Sequence, residues 1–226
     1  MRSGFTLAEL LITLGIIGVV AALTMPSLIV KYQKKETAVR LQKAYSQLSQ
    51  AVKLSEMDNG SVDGWDYLIS AQAFFDKYLK NYLNSAKVIG SLSTKYRYKT
   101  LNSNTTAGIV TNASNFVVAL ADGTFITIQQ QEYATHKIIG VDVNGYKPPN
   151  QAGKDFFIFN IQPKYGVTPY GFGITNITAG HNFGYEYNRN TLLGSTGVSC
   201  NKANYGYWCA ALIMLDNWEI KDDYPW

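Results

Sequence analysis

An apolar run near the amino terminus constrains this chain more than any other feature. From Phe5 to Met25 the run contains one charged residue, Glu9, and its other interruptions are small or hydroxyl-bearing residues. About 20 such residues suffice to cross a bilayer as a helix. An ionisable side chain inside such a helix costs roughly 2.5–3.5 kcal/mol and therefore usually has a functional partner. The sequence thus predicts a spanning helix in which Glu9 has a specific role.

Three interpretations fit this run. One is a secretory signal peptide cleaved near Ala21 and Ala22, although the leader is short and a carboxylate in the apolar core of a signal peptide is unfavourable. Another is a plain single-pass anchor. The third rests on the residues around the start of the run, and it is the only one that gives Glu9 a role.

The segment Gly4-Phe5-Thr6-Leu7-Ala8-Glu9 resembles the processing site of type IV prepilins and type II secretion pseudopilins. In that family a dedicated peptidase cuts after the glycine and methylates the new amino terminus. The resemblance implies a leader of residues 1–4 and cleavage between Gly4 and Phe5. Pro26 falls where the family often has a proline that loosens the helix. The motif covers roughly the first 55 residues, beyond which the family is diverse.

The resemblance also implies an assembly role for Glu9. After cleavage the positive amine of Phe5 lies in or near hydrocarbon, where a lone charge is costly. The carboxylate of Glu9 on a neighbouring subunit would neutralise that amine. Two groups that are each unfavourable alone would then set the axial stagger between subunits of a filament.

The positive charge of the chain belongs to its first quarter. The chain has 226 residues and a net charge of +4. Residues 1–57 hold seven lysines and arginines and three acids, whereas residues 58–226 hold thirteen of each. The globular part therefore has no basic bias, which makes nucleic acid an unlikely partner. Lys31, Lys34 and Lys35 follow the apolar run, so the positive-inside rule favours keeping them in the cytoplasm, whereas the resemblance places the following domain outside it.

Two cysteines lie close together near the carboxyl terminus. Cys200 and Cys209 enclose the segment NKANYGYW, and no histidine or second cysteine pair stands at metal-ligand spacing. If the domain lies outside the cytoplasm, a disulfide is expected. The alternative is two buried thiols. Many type IV pilins have a carboxyl-terminal disulfide loop, so the resemblance agrees with the disulfide.

The apolar run continues as an amphipathic helix. Apolar residues recur at helical spacing, namely Leu41, Ala44, Tyr45, Leu48, Ala51 and Val52. Asp58-Asn59-Gly60 is a stop signal. The sequence predicts a spine helix over residues 5–57, transmembrane over 5–25, with a kink or local melting at Pro26. Residues 58–226 would then form the globular domain.

The rest of the chain predicts an α+β fold in which the long helix packs on an antiparallel sheet of about four strands. A second helix is expected over residues 66–84 with Asp66 as a possible cap, followed by a polar loop over 85–115. Alternating and apolar runs predict strands at 116–120, 124–128, 137–143 and 156–161, with Asp122-Gly123 as a hairpin turn. The same order of elements is the pilin architecture.

The connection between the third and fourth of these strands is rich in oxygen-bearing side chains. Asp142, Asn144, Asn150 and Asp155 are weak candidates for a Ca²⁺ site, because Asp-x-Asn-Gly resembles the start of a calcium loop. The loop lacks a third acidic position and a terminal glutamate. The preferred interpretation is therefore a turn in which Asn-Gly supplies positive φ and the side chains cap the backbone, with no metal.

The carboxyl-terminal third predicts loops and a docked end. Residues 163–199 are rich in Gly, Asn, Thr and Tyr, and we expect them to form an exposed face in which His181 is a surface residue. Residues 208–220 are apolar and predict a short helix or last strand, followed by a packed tail at 222–226. Two distant histidines and no nucleophile signature predict that the chain is not an enzyme and has no cofactor.

The resemblance implies a structural function. The chain is expected to form homo- or hetero-polymers with other pilins or pseudopilins, after contact with the prepilin peptidase, membrane lipid and an inner-membrane assembly platform. It would sit in the bacterial inner membrane as a single-pass protein with its domain outside, and then in a periplasmic or surface filament. The alternative is a membrane-anchored minor pilin that uses the loops at 163–207 for adhesion or DNA uptake. A secreted soluble protein is the third possibility.

Overall fold

The computed structural model describes residues 4, 6–83, 87–91, 98–103, 115–130, 134–173, 184 and 188–226. The chain divides into two compact units, residues 1–36 and residues 37–226. Phe5 and His181, about which the sequence analysis made predictions, lie outside the described residues.

A single helix, α1, runs from Leu7 to Asn59. Its 53 residues would measure about 80 Å at 1.5 Å per residue. The predicted stop is confirmed: Gly60 follows with φ +76°, a conformation that glycine adopts at little cost. Within residues 37–226 the stripe that faces the core is also the predicted one, with Ala38 and Ser55 added at its ends: Ala38, Leu41, Ala44, Leu48, Ala51, Val52 and Ser55 are buried.

The prediction of a long second helix was wrong. After a short 3-10 turn at Val62–Gly64, a helix α2 occupies Ala71–Phe74 and continues as a π-helical turn over Phe75–Leu79. Its cap is Ser70, whose hydroxyl oxygen accepts from the Ala73 N–H at 3.2 Å. Asp66 instead accepts from the Leu68 N–H, and its own N–H donates to the Tyr78 hydroxyl. These bonds hold residues 66–69 in a non-helical turn.

Within the described residues, six antiparallel strands form one sheet in sequence order. They are β1 (Lys87–Gly90), β2 (Phe116–Ala119), β3 (Phe125–Ile128), β4 (Lys137–Asp142), β5 (Phe156–Gln162) and β6 (Gly166–Pro169). The four predicted strands are confirmed as β2 to β5. The two additional strands lie at the edges. β1 lies in the stretch predicted as a loop, and β6 is four residues long and bounded by glycine and proline, so neither gave a clear alternation.

The hairpin between β2 and β3 turns where Asp122-Gly123 predicted it. Ala119 pairs with Phe125, the Leu120 N–H donates to the Thr124 carbonyl at 2.8 Å, and Gly123 has φ +85°. The Asp122 carboxylate accepts from the Thr124 N–H and also lies 2.6 Å from the Lys43 ammonium of α1. The turn is thereby attached to the helix.

Both faces of the sheet are covered. On one face the ring of Phe159 lies 5.7 Å from the ring of Tyr45 on α1, measured between centroids. On the other face the ring of Tyr98 stacks on Phe156 at 4.0 Å. Every residue of β3, β4, β5 and β6 is accordingly buried. Burial on both faces explains why β5 in particular is a nearly continuous apolar run.

The carboxyl-terminal end packs as two short helices and a tail. These are α3 (Arg189–Leu193) and α4 (Cys209–Leu215), so the apolar end forms a helix, as one of the two predicted alternatives proposed. After α4, Asn217 and Trp218 have φ values of +55° and +62°. This turn lets the Trp218 N–H donate to the Ile213 carbonyl and brings the indole to 5.2 Å from the Tyr45 ring. Tyr224 of the tail is buried and donates its hydroxyl to the Gly153 carbonyl.

Candidate functional site

The first turn of α1 contains the candidate assembly residue Glu9. Its carboxylate atom Oε2 accepts from the Thr6 N–H at 2.8 Å and from the Thr6 hydroxyl at 2.9 Å. In return the Thr6 hydroxyl oxygen lies 3.2 Å from the Glu9 N–H. This reciprocal arrangement is a capping box, in which a Thr and a Glu three residues apart satisfy backbone donors that a helix start leaves unpaired.

Glu9 therefore has a local capping role, and its assembly role stays a prediction. A carboxylate can accept about four hydrogen bonds on its two oxygens. Among the described residues, the Thr6 bonds all go to Oε2, so Oε1 keeps acceptor capacity for another donor. Gly4, on the other side of the proposed cleavage point, is exposed.

The amino-terminal half of α1 exposes its apolar side chains. Leu7, Leu11, Ile12, Ile17 and Leu23 are each more than 60 % exposed, and within the described part of residues 1–30 only Ala21 is partly covered. By length and composition this part of α1 could cross a membrane. A continuous apolar surface of this size is unfavourable in water, so it indicates contact with lipid or with other proteins.

Pro26 lies inside α1, and the helix continues through it without interruption. Proline lacks the N–H that would donate to the carbonyl four residues earlier. At this turn the Thr24 hydroxyl donates to the Val20 carbonyl. The Ser27 hydroxyl donates to the Thr24 carbonyl. A local loosening of the helix at Pro26 in the membrane or in a filament stays a prediction.

The loop between β4 and β5 is built on two buried carboxylates. The Asp142 carboxylate accepts from the N–H groups of Asn144 and Gly145 and from the Tyr98 hydroxyl, at 2.9–3.0 Å. The Asp155 carboxylate accepts from the N–H groups of Asn150 and Gln151, at 2.8 and 2.6 Å, and from the Asn144 side-chain amide. Asp142 and Asp155 thus act as backbone caps, which supports the turn interpretation.

Burial dominates the electrostatics of this loop. It raises the pKa of Asp142 to about 8, and the nearby Asp155 carboxylate acts in the same direction. Burial raises the pKa of Asp155 as well. Burial and the mutual repulsion of the two carboxylates therefore oppose the state in which both are negatively charged. Within the described ranges, no group of three or more His, Cys, Asp or Glu side chains is placed to hold a metal.

The predicted disulfide is present in the structure. Cys200 and Cys209 are bonded, with their Cα atoms 4.7 Å apart, and both are fully buried. Beside the disulfide lies an open cleft of about 380 Å³, formed by the end of α3, the disulfide loop and the tail. Its lining residues are Leu193, Cys200, Asn201, Lys202, Asp222, Asp223, Tyr224 and Pro225.

An arginine clasp holds the tail next to this cleft. The Arg189 guanidinium donates to the carboxylates of Asp216 and Asp223, at 2.6–3.1 Å, and Lys221 also bonds to Asp216. Burial acts to raise the pKa of Asp216, but the hydrogen bonds from Arg189 and Lys221 outweigh it and hold this pKa below the usual value. The clasp joins α3, the end of α4 and the tail.

Two protein-family models match parts of the chain. Residues 27–226 match the model of a family described as a family of unknown function (DUF6613). The chain belongs to this family. Residues 1–25 match the prokaryotic N-terminal methylation motif, the prepilin signature of type IV pilins and pseudopilins, so the predicted resemblance is confirmed. No curated protein and no solved structure matches the chain.

The boundary between the methylation motif and the family region lies close to Pro26. The motif covers the processing site and the apolar half of α1, and the family region covers the rest of the chain. The family description assigns no activity, so function has to be argued from the amino-terminal site. There the sequence analysis missed Thr6 as the partner of Glu9, although the spacing Thr-x-x-Glu is a readable signal. Tyr98 as a partner of Asp142 had no such signal, because 44 residues separate them.

Proposed function

We propose that this chain is a structural subunit of a type IV pilus or a type II secretion pseudopilus. The observation that carries the proposal is the capped start of α1, at which the prepilin motif leads into a long apolar helix with its side chains exposed. Such a helix requires lipid before assembly and other helices afterwards. The same motif supports a structural subunit and not an enzyme.

Processing would convert this helix start into an assembly site. Cleavage between Gly4 and Phe5 by the prepilin peptidase leaves a positive amine one residue before Thr6. The Glu9 carboxylate would keep its capping bonds through Oε2 and accept the Phe5 amine of a neighbouring subunit through Oε1. The pair neutralises two charges that are each costly in an apolar medium, and its geometry would fix the stagger between subunits.

The mature amino terminus tests this proposal directly. The chain is purified from membranes of the native host, and its terminal peptide is identified by mass spectrometry. A methylated Phe5 is the expected terminus. A terminus near residue 23 would show cleavage of an ordinary signal peptide and would overturn the proposal. Loss of the methylated species in a host without the peptidase supplies the control.

Replacement of Glu9 tests the assembly role separately. Glu9→Gln should leave insertion and processing intact and abolish or strongly reduce filaments in sheared or periplasmic fractions, because the amide cannot neutralise the amine. Glu36→Gln, a carboxylate on the same helix beyond the apolar run, serves as the matched control. If Glu9→Gln and Glu9→Ala both assembled normally, the pairing would be wrong.

The alternative is a membrane-anchored minor pilin that binds a surface or DNA. The cleft beside the disulfide is formed in part by the loops at 163–207 that were proposed for such binding, but its lining contains two acids and one lysine. This charge balance does not favour nucleic acid. Immunogold electron microscopy discriminates the two roles, because a major subunit labels whole filaments and a minor subunit labels tips or sparse sites. The same images would place the filament at the surface or in the periplasm.

A further inference from the structure

Three lysines follow directly on the apolar half of α1. Lys31, Lys34 and Lys35 come after Val30, and residues 6–30 contain no lysine or arginine. Lys31 and Lys35 are exposed, and Lys34 is half-buried. We call these three residues the collar.

The collar lysines share one side of the helix. Successive residues of an α-helix turn by about 100°, so the three side chains fall within an arc of about 100°. Glu36 is the nearest carboxylate along the chain, and its position lies outside that arc. Tyr32, between the lysines in sequence, is 67 % exposed. Lysine and tyrosine together are typical of the level at which a helix leaves the hydrocarbon and enters the headgroups.

The length of the apolar segment places the collar at that level. From Leu7 to Val30 the helix rises about 36 Å, slightly more than the roughly 30 Å of a hydrocarbon core. The next two cations along α1 lie further from the apolar segment and contact loops at the ends of sheet strands. Arg40 donates to the Val143 carbonyl at 3.2 Å, and Lys43 pairs with Asp122 at 2.6 Å. The collar is therefore the basic group nearest the membrane surface.

We propose that the collar binds the phosphate groups of anionic lipid headgroups and thereby sets the depth of the subunit in the membrane before assembly. This inference rests on the proposed function, because it requires α1 to be inserted in a bilayer. The charges are complementary, and a lysine near an anionic surface gains attraction that falls off within about 10 Å at 0.1 M salt. Such binding also gives a role to lysines that the positive-inside rule would not place beside an extracytoplasmic domain.

Spin-labelled lipids measure this binding on the full processed chain in vesicles. The association of labelled phosphatidylglycerol with the protein is compared with that of labelled phosphatidylcholine by electron paramagnetic resonance. For the unmodified chain we expect a roughly two- to fivefold preference for phosphatidylglycerol, which disappears near 1 M salt, where the screening length is about 3 Å. Replacement of all three collar lysines by glutamine, which is also a good helix former, should bring the ratio close to one.

A matched variant removes three lysines elsewhere. Lys53, Lys87 and Lys147 are exposed residues of the unit formed by residues 37–226, and their replacement by glutamine should leave the preference unchanged. An equal ratio in the unmodified chain and the collar variant would overturn the proposal. So would an equal loss of preference in both variants, because it would show a general effect of net charge.

Flotation with neutral phosphatidylcholine vesicles separates this inference from the function on which it rests. If the chain fails to float, α1 is not a membrane anchor and both proposals are wrong. If the chain floats but shows no headgroup preference, only the collar proposal is wrong. If the collar variant keeps the preference yet loses filaments, the lysines contact neighbouring subunits instead of lipid, which also overturns the inference.

Discussion

Thr6 and Glu9 bond to each other in both directions at the first turn of α1. The Thr6 N–H donates to the Glu9 carboxylate at 2.8 Å, and the Glu9 N–H donates to the Thr6 hydroxyl oxygen at 3.2 Å. In hydrocarbon no water replaces such bonds, so the cap matters more there than at a solvated helix end. The carboxylate proposed to bind a neighbouring subunit is thereby held in place before assembly.

Removal of the Thr6 hydroxyl should loosen this turn. Loss of an N-cap side chain costs roughly 0.5–2 kcal/mol, so Thr6→Val should speed amide hydrogen exchange of the first turn by roughly two- to thirtyfold in detergent micelles. Thr6→Ser keeps the hydroxyl and should exchange like the unmodified chain. Filament yield should fall in the valine variant and not in the serine variant. Equal exchange in both variants would contradict a role of the hydroxyl in capping.

The buried carboxylate of Asp142 predicts a dependence of stability on pH. Its pKa is about 8 in the folded chain against an ordinary value of 3.8. The folded state therefore binds more protons than the unfolded state between about pH 4 and 8, and the stability that Asp142 contributes falls as the pH rises through this window. One pKa unit of difference corresponds to about 1.4 kcal/mol, so even part of the shift gives a measurable slope.

Asp142→Asn isolates this effect. The variant should lose most of the decline in the free energy of unfolding between about pH 5 and 8, as measured by denaturant titration at several pH values, and the raised pKa of Asp155 accounts for the remainder. His136 titrates in the opposite sense, because burial lowers its pKa to about 4 and its contribution to stability is lost as the pH falls from about 6.5 to 4. That contribution is common to both proteins and cancels in their difference. Asp222→Asn, at an exposed carboxylate, is the control. A wild-type slope retained in Asp142→Asn would refute the assignment.

The disulfide should stabilise the carboxyl-terminal end. Cys200 and Cys209 are nine positions apart, and closing a loop of this size in the unfolded chain is worth about 2–3 kcal/mol. Reduction should therefore lower the melting temperature of the unmodified chain. The double variant Cys200→Ala, Cys209→Ala should melt lower and should not respond to reductant. A response of the double variant would show that the reductant acts elsewhere.

Much of the fold was predictable from the sequence because its signals are local. The helical spacing between Leu41 and Val52, the stop before Gly60 and the Asp122-Gly123 turn each concern residues adjacent in the chain. The second helix failed as a prediction because the apolar positions from Leu68 to Tyr82 fit helical spacing, whereas the bonds of Asp66 to Leu68 and Tyr78 keep the first residues out of the helix. The spacing of apolar residues contains no information on hydrogen bonds that compete with the helix in this way.

The remaining features depend on residues far apart in the chain. Tyr98 meets Asp142 across 44 positions, and Arg189 meets Asp216 and Asp223 across 27 and 34. Such distant pairs have no characteristic spacing that could be recognised in a single sequence. The edge strand β1 was equally hard to predict, because it has only four residues and is recognised as a strand through its pairing with the distant β2. At the amino-terminal site the assembly role of Glu9 and the cleavage point stay predictions from the motif, whereas the Thr6 partner, which the structure shows, was readable in the same six residues.

A close approach in the middle of the sheet gives the last prediction. A Cβ atom at Gly140 would lie 2.6 Å from two ring atoms of Phe156 and 3.1 Å from the Thr127 hydroxyl oxygen. Phe156 is fully buried and has Tyr98 stacked on it at 4.0 Å, so its ring has little room to move away. Gly140→Ala should therefore destabilise the chain by about 1–3 kcal/mol, the usual cost of overpacking.

Two further variants show whether this contact is the cause. Gly197→Ala places a Cβ where no atom lies within 4 Å, so its free energy of unfolding should stay within about 0.5 kcal/mol of the unmodified chain. Phe156→Leu removes the ring atoms that the new Cβ would meet. If the close approach sets the cost, the effects of Gly140→Ala and Phe156→Leu will be non-additive, and Gly140→Ala will cost less in the Phe156→Leu background. Additive effects would mean that the cost arises from the backbone at Gly140 and not from the ring.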